Sequence, residues 1–261
     1  MIPLIMKILR IYFLTLSLLL LIPALHANES KLPDFLFKGK PHTKDTALKH
    51  SGLEKLPLLR FNSKNDTANY FVILFPGDGG WRDVMNTVTK GLTQRGVNVV
   101  GFNTLPYFRK KKSPAQIAAD IQKVMDHYMK VWNKKYVVLG GYSFSAEMLP
   151  FAYNAMEIKY QERILQLILL APSHLADFRV GTLFMYPASH STPLLPELQK
   201  IDPNKMLIIC DGVKGSICRT MPHENPFNLV YFKCNHWFVG YKKEVAQVIT
   251  EQLGMVNKSL H

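Results

Sequence analysis

Cysteine is scarce: three residues in 261 cannot staple a disulfide scaffold, so the fold must rest on an apolar core. Acidic residues are also few, 19 Asp and Glu against 32 Lys and Arg, for a formal charge of +13. Long apolar runs are absent beyond the N-terminus, which excludes a protein that crosses a membrane many times. Neither glycine (15) nor proline (16) reaches the density of a collagen-like rod or a disordered tract, and hydrophobic residues make up 48%. What remains is a chain long enough for one large domain or two small ones, with a sizeable core. The basic balance points to anionic partners: acidic lipid headgroups, an acidic protein or nucleic acid. The densest cluster, Arg109-Lys110-Lys111-Lys112, has no interleaved aromatics, and no zinc-finger spacing occurs, so nucleic acid is not the expected partner.

The one long apolar run reads as a leader. Lys7 and Arg10 form a basic start, Ile11 to Ile22 an apolar stretch, and Ala24-Leu25-His26-Ala27 a small-residue cleavage site. Residues 1–27 are therefore expected to be a signal peptide, with an uncleaved anchor as the competing reading. No cysteine stands near the cleavage site to take a lipid. Either way the body is expected to be exported, with +11 on the mature chain once Lys7 and Arg10 are gone. In an oxidising compartment two of Cys210, Cys218 and Cys234 are expected to pair. Cys210 and Cys218 flank a short loop and are the preferred pair, which leaves Cys234 as the odd thiol.

Residues 28–67 read as a polar, lysine-rich lead-in followed by a first strand. Leu56–Phe61 and Tyr70–Phe75 are apolar runs around Asn-Ser-Lys-Asn-Asp, a pattern that suggests a hairpin. From there strands and helices alternate. Helical periodicity covers 83–95, the segment from Pro114, 146–155 and 242–253. Strand patterns cover 97–102, 136–139, 165–170, 206–210 and 229–232. This alternation predicts an α/β fold with a mostly parallel central sheet and helices on both faces.

Three segments carry chemistry. In Val137-Val138-Leu139-Gly140-Gly141-Tyr142-Ser143-Phe144-Ser145 an apolar strand runs through a small-residue turn directly into a helix. That is the context of a nucleophile elbow, G-x-S-x-G with Ser145 at the last position; an ordinary strand–helix turn is the alternative. The run Pro76-Gly77-Asp78-Gly79-Gly80-Trp81 follows an earlier strand. Backbone N–H groups around Gly79, Gly80 and Trp81, with that of Phe144, are candidates to hold an oxyanion. A phosphate-binding loop is the rival, though no Walker Lys-Ser/Thr follows. His236 lies between the last strand pattern and the last helix, where a general base belongs. Asp211 ends the strand 206–210, giving the chain order Ser143, Asp211, His236; Asp202 precedes that strand, at its wrong end. No metal site or cofactor is expected.

The strings Phe-Pro-Gly-Asp-Gly-Gly-Trp, Gly-Phe-Asn-Thr-Leu-Pro-Tyr-Phe and Gly-Tyr-Ser-Phe-Ser-Ala-Glu-Met-Leu-Pro-Phe resemble the VirJ/AcvB family of bacterial virulence proteins. The resemblance spans residues 68–256. It implies an α/β-hydrolase fold, a periplasmic location and an association with type IV secretion. It also implies hydrolysis of the aminoacyl ester of lysyl-phosphatidylglycerol, an anionic-membrane phospholipid, with Ser143 as nucleophile and His236 as its histidine. The family usually has glycine where Ser145 stands and an acid just before the position of Ser216, where this chain has Gly215. Two readings follow from these departures: an exported serine hydrolase, or a catalytically degenerate scaffold of a type IV secretion system.

Overall fold

The computed structural model describes residues 52–81, 83–179, 192–222 and 224–258, so the leader and residues 28–51 of the lead-in lie outside the described residues. Seven strands form the main sheet: β1 (Leu58–Phe61), β2 (Tyr70–Phe75), β3 (Val99–Phe102), β4 (Tyr136–Tyr142), β5 (Ile164–Leu170), β6 (Met206–Cys210) and β7 (Asn228–Tyr231). Their order is β1-β3-β2-β4-β5-β6-β7. Every neighbouring pair is parallel except β1–β3, which is antiparallel.

Parallel strands covered on both faces need apolar residues at every position, not at alternate ones. Accordingly all six residues of β2 and all five of β6 are buried. On one face Phe71, Ile73 and Phe75 meet Ile117, Ile121, Met125 and Tyr128 of α2 (Pro114–Val131) and Met148, Leu149 and Ala152 of α3 (Phe144–Asn154). On the other, Tyr70, Val72 and Leu74 meet Val84, Val88 and Leu92 of α1 (Asp83–Gln94) and Val245, Ile249 and Leu253 of α4 (Lys242–Lys258). The start of α2 is set by a capping box: the Ser113 hydroxyl accepts from the Gln116 N–H, and the Gln116 side chain accepts from the Ser113 N–H. No described helix is long and apolar enough to cross a membrane.

The expected hairpin of 56–61 with 70–75 does not form. β1 pairs with β3, and β2 uses both of its edges for β3 and β4. The Asn-Ser-Lys-Asn-Asp segment is a crossover, not a tight turn. Ser63 N–H donates to the Asn98 side chain (2.8 Å) and Thr67 N–H to the Gly96 carbonyl (3.1 Å), so the chain steps over the start of β3. Only half-buried, β1 suits the sheet edge that this route leaves it.

Candidate active site

Parallel topology brings the C-terminal ends of β2, β4, β5, β6 and β7 to one edge of the sheet, where ligand sites of open α/β sheets form. Ser143 is the single residue between β4 and α3, with φ 54° and ψ −124°. A non-glycine residue in this region is strained and is held there by its surroundings. The turn is tight enough that a Cβ on Gly141 would lie 2.7 Å from the Ser145 carbonyl group, so glycine is required before the serine. Ser145, where the elbow pattern has glycine, is buried, and its hydroxyl donates to the Pro76 carbonyl. The departure is thereby absorbed: the extra polar atom ties α3 to the end of β2.

Ser143, His236 and Asp211 come together in one hydrogen-bonded chain. Ser143 Oγ lies 2.7 Å from His236 Nε2, and His236 Nδ1 lies 2.7 Å from Asp211 Oδ2. Asp211 is buried, with 2% of its side chain exposed, and its other oxygen accepts the Val213 N–H. An imidazole that donates Nδ1–H to this carboxylate turns the Nε2 lone pair toward the serine hydroxyl. The loops carrying Asp211 and His236 are also joined by their backbones, Gly212 N–H to the Cys234 carbonyl at 2.9 Å. Gly212 is needed at this contact, since a Cβ would meet that carbonyl at 2.8 Å.

Cys210 and Cys218 are joined in a disulfide that closes the loop beginning at Asp211. Cys234 is free, and burial, with Asp211 nearby, pushes its thiol up, away from a reactive thiolate. Gly215 and Ser216 take no part in the hydrogen-bonded chain. Ser216 is buried and bridges to Ser173, while Gly215 accepts the His174 N–H.

The glycine-rich loop lies beside the serine: a Cβ on Gly77 would touch the Ser143 Cβ at 3.3 Å. Its expected residues divide. The Gly80 N–H is already given to the Gly77 carbonyl (3.0 Å), closing a turn that Gly80 leaves with φ 76°. Trp81 is a core residue, because its ring stacks on Phe61 at 5.1 Å and lies where any side chain on Gly101 would be. Asp78 and Gly79 are exposed at the tip of the turn. Phe144 is the first helical residue, and a backbone N–H there has no acceptor within its own helix.

Two residues without an expected role stand at the site. Tyr142 donates its hydroxyl to the His236 carbonyl (2.8 Å) and lays its ring along the imidazole, 5.6 Å between centres. Burial first, and the Asp211 and Asp78 charges second, keep this phenol protonated and so a donor. Glu147 lies one helical turn after Ser143, on the same side of α3. Its Oε1 accepts the Ser173 N–H at 3.1 Å. Burial raises its carboxyl above the usual range, opposed by the Ser173 hydrogen bonds and by His236. The i, i+4 spacing was in the sequence; the loop that buries it was not.

Solved structures with this fold include Est1E from Butyrivibrio proteoclasticus (14% identity, TM-score 0.53, covering 76% of this chain and 94% of that one). The Pyrococcus furiosus esterase Pf2001 matches at 13% identity and TM-score 0.52, over 77% and 92% of the two chains. An α/β serine hydrolase homologue from Coxiella burnetii matches at 17% and 0.51, over 75% and 90%. These likenesses show that the fold is that of the α/β hydrolases. No curated protein sequence matches the chain. The model of the family described as "Bacterial virulence protein (VirJ)" matches residues 69–256, and the chain belongs to the VirJ family.

Proposed function

We propose that this protein is a serine esterase that removes the aminoacyl group from an aminoacylated anionic phospholipid, of the lysyl-phosphatidylglycerol type, in the periplasm. The observation that carries the esterase reading is the chain Ser143–His236–Asp211 built on a positive-φ elbow. Such a chain activates a hydroxyl that is otherwise a weak nucleophile. Ser143 Oγ attacks the ester carbonyl carbon as His236 Nε2 takes its proton. The oxyanion is held by the Phe144 N–H and by an N–H at Asp78 or Gly79, each donor lowering the barrier by about 3 kcal/mol. Collapse breaks the ester bond, and the departing lipid hydroxyl takes the proton from His236, leaving an aminoacyl-serine. Water, deprotonated by His236, then attacks the aminoacyl-serine; the free amino acid leaves and His236 returns the proton to Ser143 Oγ. Asp211 holds the imidazole in the required tautomer.

Glu147 supports the aminoacyl part. A carboxylate one helical turn from the nucleophile, on an otherwise basic protein, suits an ammonium group beside the scissile ester. The buried disulfide suits an oxidising compartment. The test is incubation of the purified protein with lysyl-phosphatidylglycerol in detergent micelles. Free lysine should be released, and none by Ser143→Ala. Release at the same rate by that variant, or no release at all, overturns the reading.

A further inference from the structure

The catalytic edge of the sheet carries exposed side chains that the chemistry does not use. Directly after His236, Trp237 (66% exposed), Val239 (60%) and Tyr241 (39%) face solvent, while Phe238 between them is wholly buried. The Phe238 ring is fixed against Tyr142 and Phe232. The Asn235 carbonyl accepts the Phe238 N–H, and the Asn235 side chain accepts the Val239 N–H. Phe238 (φ 50°) and Gly240 (φ 85°) turn the chain so that its apolar side chains point outward from a braced loop. The neighbouring loop adds Val213, 39% exposed, and is tied to the first by the Gly212–Cys234 bond. Large apolar groups side by side in water mark a contact surface.

Exposed cations surround this patch: Lys233 before it, Lys243 after it and Lys214 on the neighbouring loop. The cluster Arg109-Lys110-Lys111 is on the same edge. It follows the helical turn Thr104–Tyr107, whose Thr104 hydroxyl donates to the Gly77 carbonyl and whose Leu105 abuts Gly80. The acids nearby are Asp78 and Glu244, both exposed, half-buried Asp177 beside the Lys112 segment, and Asp83 and Asp120, which are paired with Lys242 and with Lys112 and Lys123. Cations therefore dominate the rim, while Asp211 and Glu147 lie inside the site. Tryptophan and tyrosine flanked by lysine are suited to the boundary between lipid headgroups and acyl chains. Each lysine near an anionic surface adds about fivefold to partitioning at low salt.

We propose that this edge docks on an anionic bilayer surface. Trp237, Val239 and Tyr241 enter the interface, the lysines meet lipid phosphates, and Ser143 is held at headgroup depth. The purpose of docking rests on the lipid-ester reading, but its test needs no hydrolysis. The Ser143→Ala protein is floated with phosphatidylcholine vesicles, with and without phosphatidylglycerol. Binding is expected only with phosphatidylglycerol and should weaken as salt rises. Trp237→Ala should reduce it tenfold or more, as should Lys233→Glu with Lys243→Glu. The same charge change at the opposite edge, Lys135→Glu with Lys159→Glu, should cost less than threefold.

Absence of binding overturns the proposal, as does binding indifferent to Trp237→Ala or equal loss from the opposite-edge pair. A dimer dissolved by Trp237→Ala, with no vesicle binding, assigns the patch to self-association and also overturns it. The two readings fail separately. Lysine release from micelles without flotation refutes docking alone; flotation of the wild-type protein without lysine release refutes the substrate alone.

Discussion

In the proposed chemistry Ser143 and His236 act only as a pair: a serine without its base is inert, and an imidazole without the serine has nothing to activate. Ser143→Ala and His236→Ala should therefore each lower kcat/KM on the order of 10⁴-fold or more, to similar extents. Asp211→Asn should cost about tenfold to a hundredfold less than either. Steady-state rates on one ester settle this, and a His236→Ala rate near wild type contradicts it. Glu147 makes a different prediction. Its carboxyl is raised by burial, so on acidification it takes up a proton before an ordinary glutamate would and loses the charge that favours an ammonium. The preference for aminoacyl over uncharged esters should shrink as pH falls in wild type and stay flat in Glu147→Gln. The ratio of two substrates cancels any pH effect on the shared hydrolytic machinery, which acts on both alike. In stability the sign runs the other way. Between the unfolded and the raised folded value the native state binds more protons, so wild-type stability should fall as pH rises, and Glu147→Gln should remove that slope. Thermal unfolding across pH measures it.

The loop between β6 and the 3₁₀ turn at Ile217–Arg219 is the element on which the site depends. It begins with Asp211 and is closed by Cys210–Cys218, so the bridge fixes the acid as well as the chain. Loop-closure entropy gives the disulfide about 2.5 kcal/mol. Cys210→Ser with Cys218→Ser should lose roughly that amount in urea unfolding, while an unchanged midpoint contradicts it. The elbow was legible because an apolar strand, two glycines and a helix adjoin in sequence, so local sterics alone specify the turn. The glycine-rich loop was legible only in part. Its position after β2 could be read, but the pairing of Gly80 with Gly77 and the burial of Trp81 over Gly101 depend on β3 and β1, which are distant in sequence. Tyr142 was missed for a similar reason, since its partner is the backbone of a loop 94 residues away.

At the scale of the whole molecule, alternating apolar runs specify a parallel sheet, and every main-sheet strand lies where such a run occurs. The order of strands was less legible. Residues 62–66 read as a hairpin turn, and the capture of Ser63 by Asn98 and of Thr67 by Gly96 reveals a crossover. Parallel topology explains why residues 68 positions apart in sequence, Ser143 and Asp211, share one imidazole: each follows a strand that ends at the same edge. The central claim is that this edge holds a serine made nucleophilic by His236. Labelling with a fluorophosphonate probe, followed by mass spectrometry of the peptides, tests it most directly. The account predicts a single adduct on Ser143, absent from Ser143→Ala and nearly absent from folded His236→Ala. No adduct on the wild-type protein, or an adduct that persists in Ser143→Ala, contradicts it.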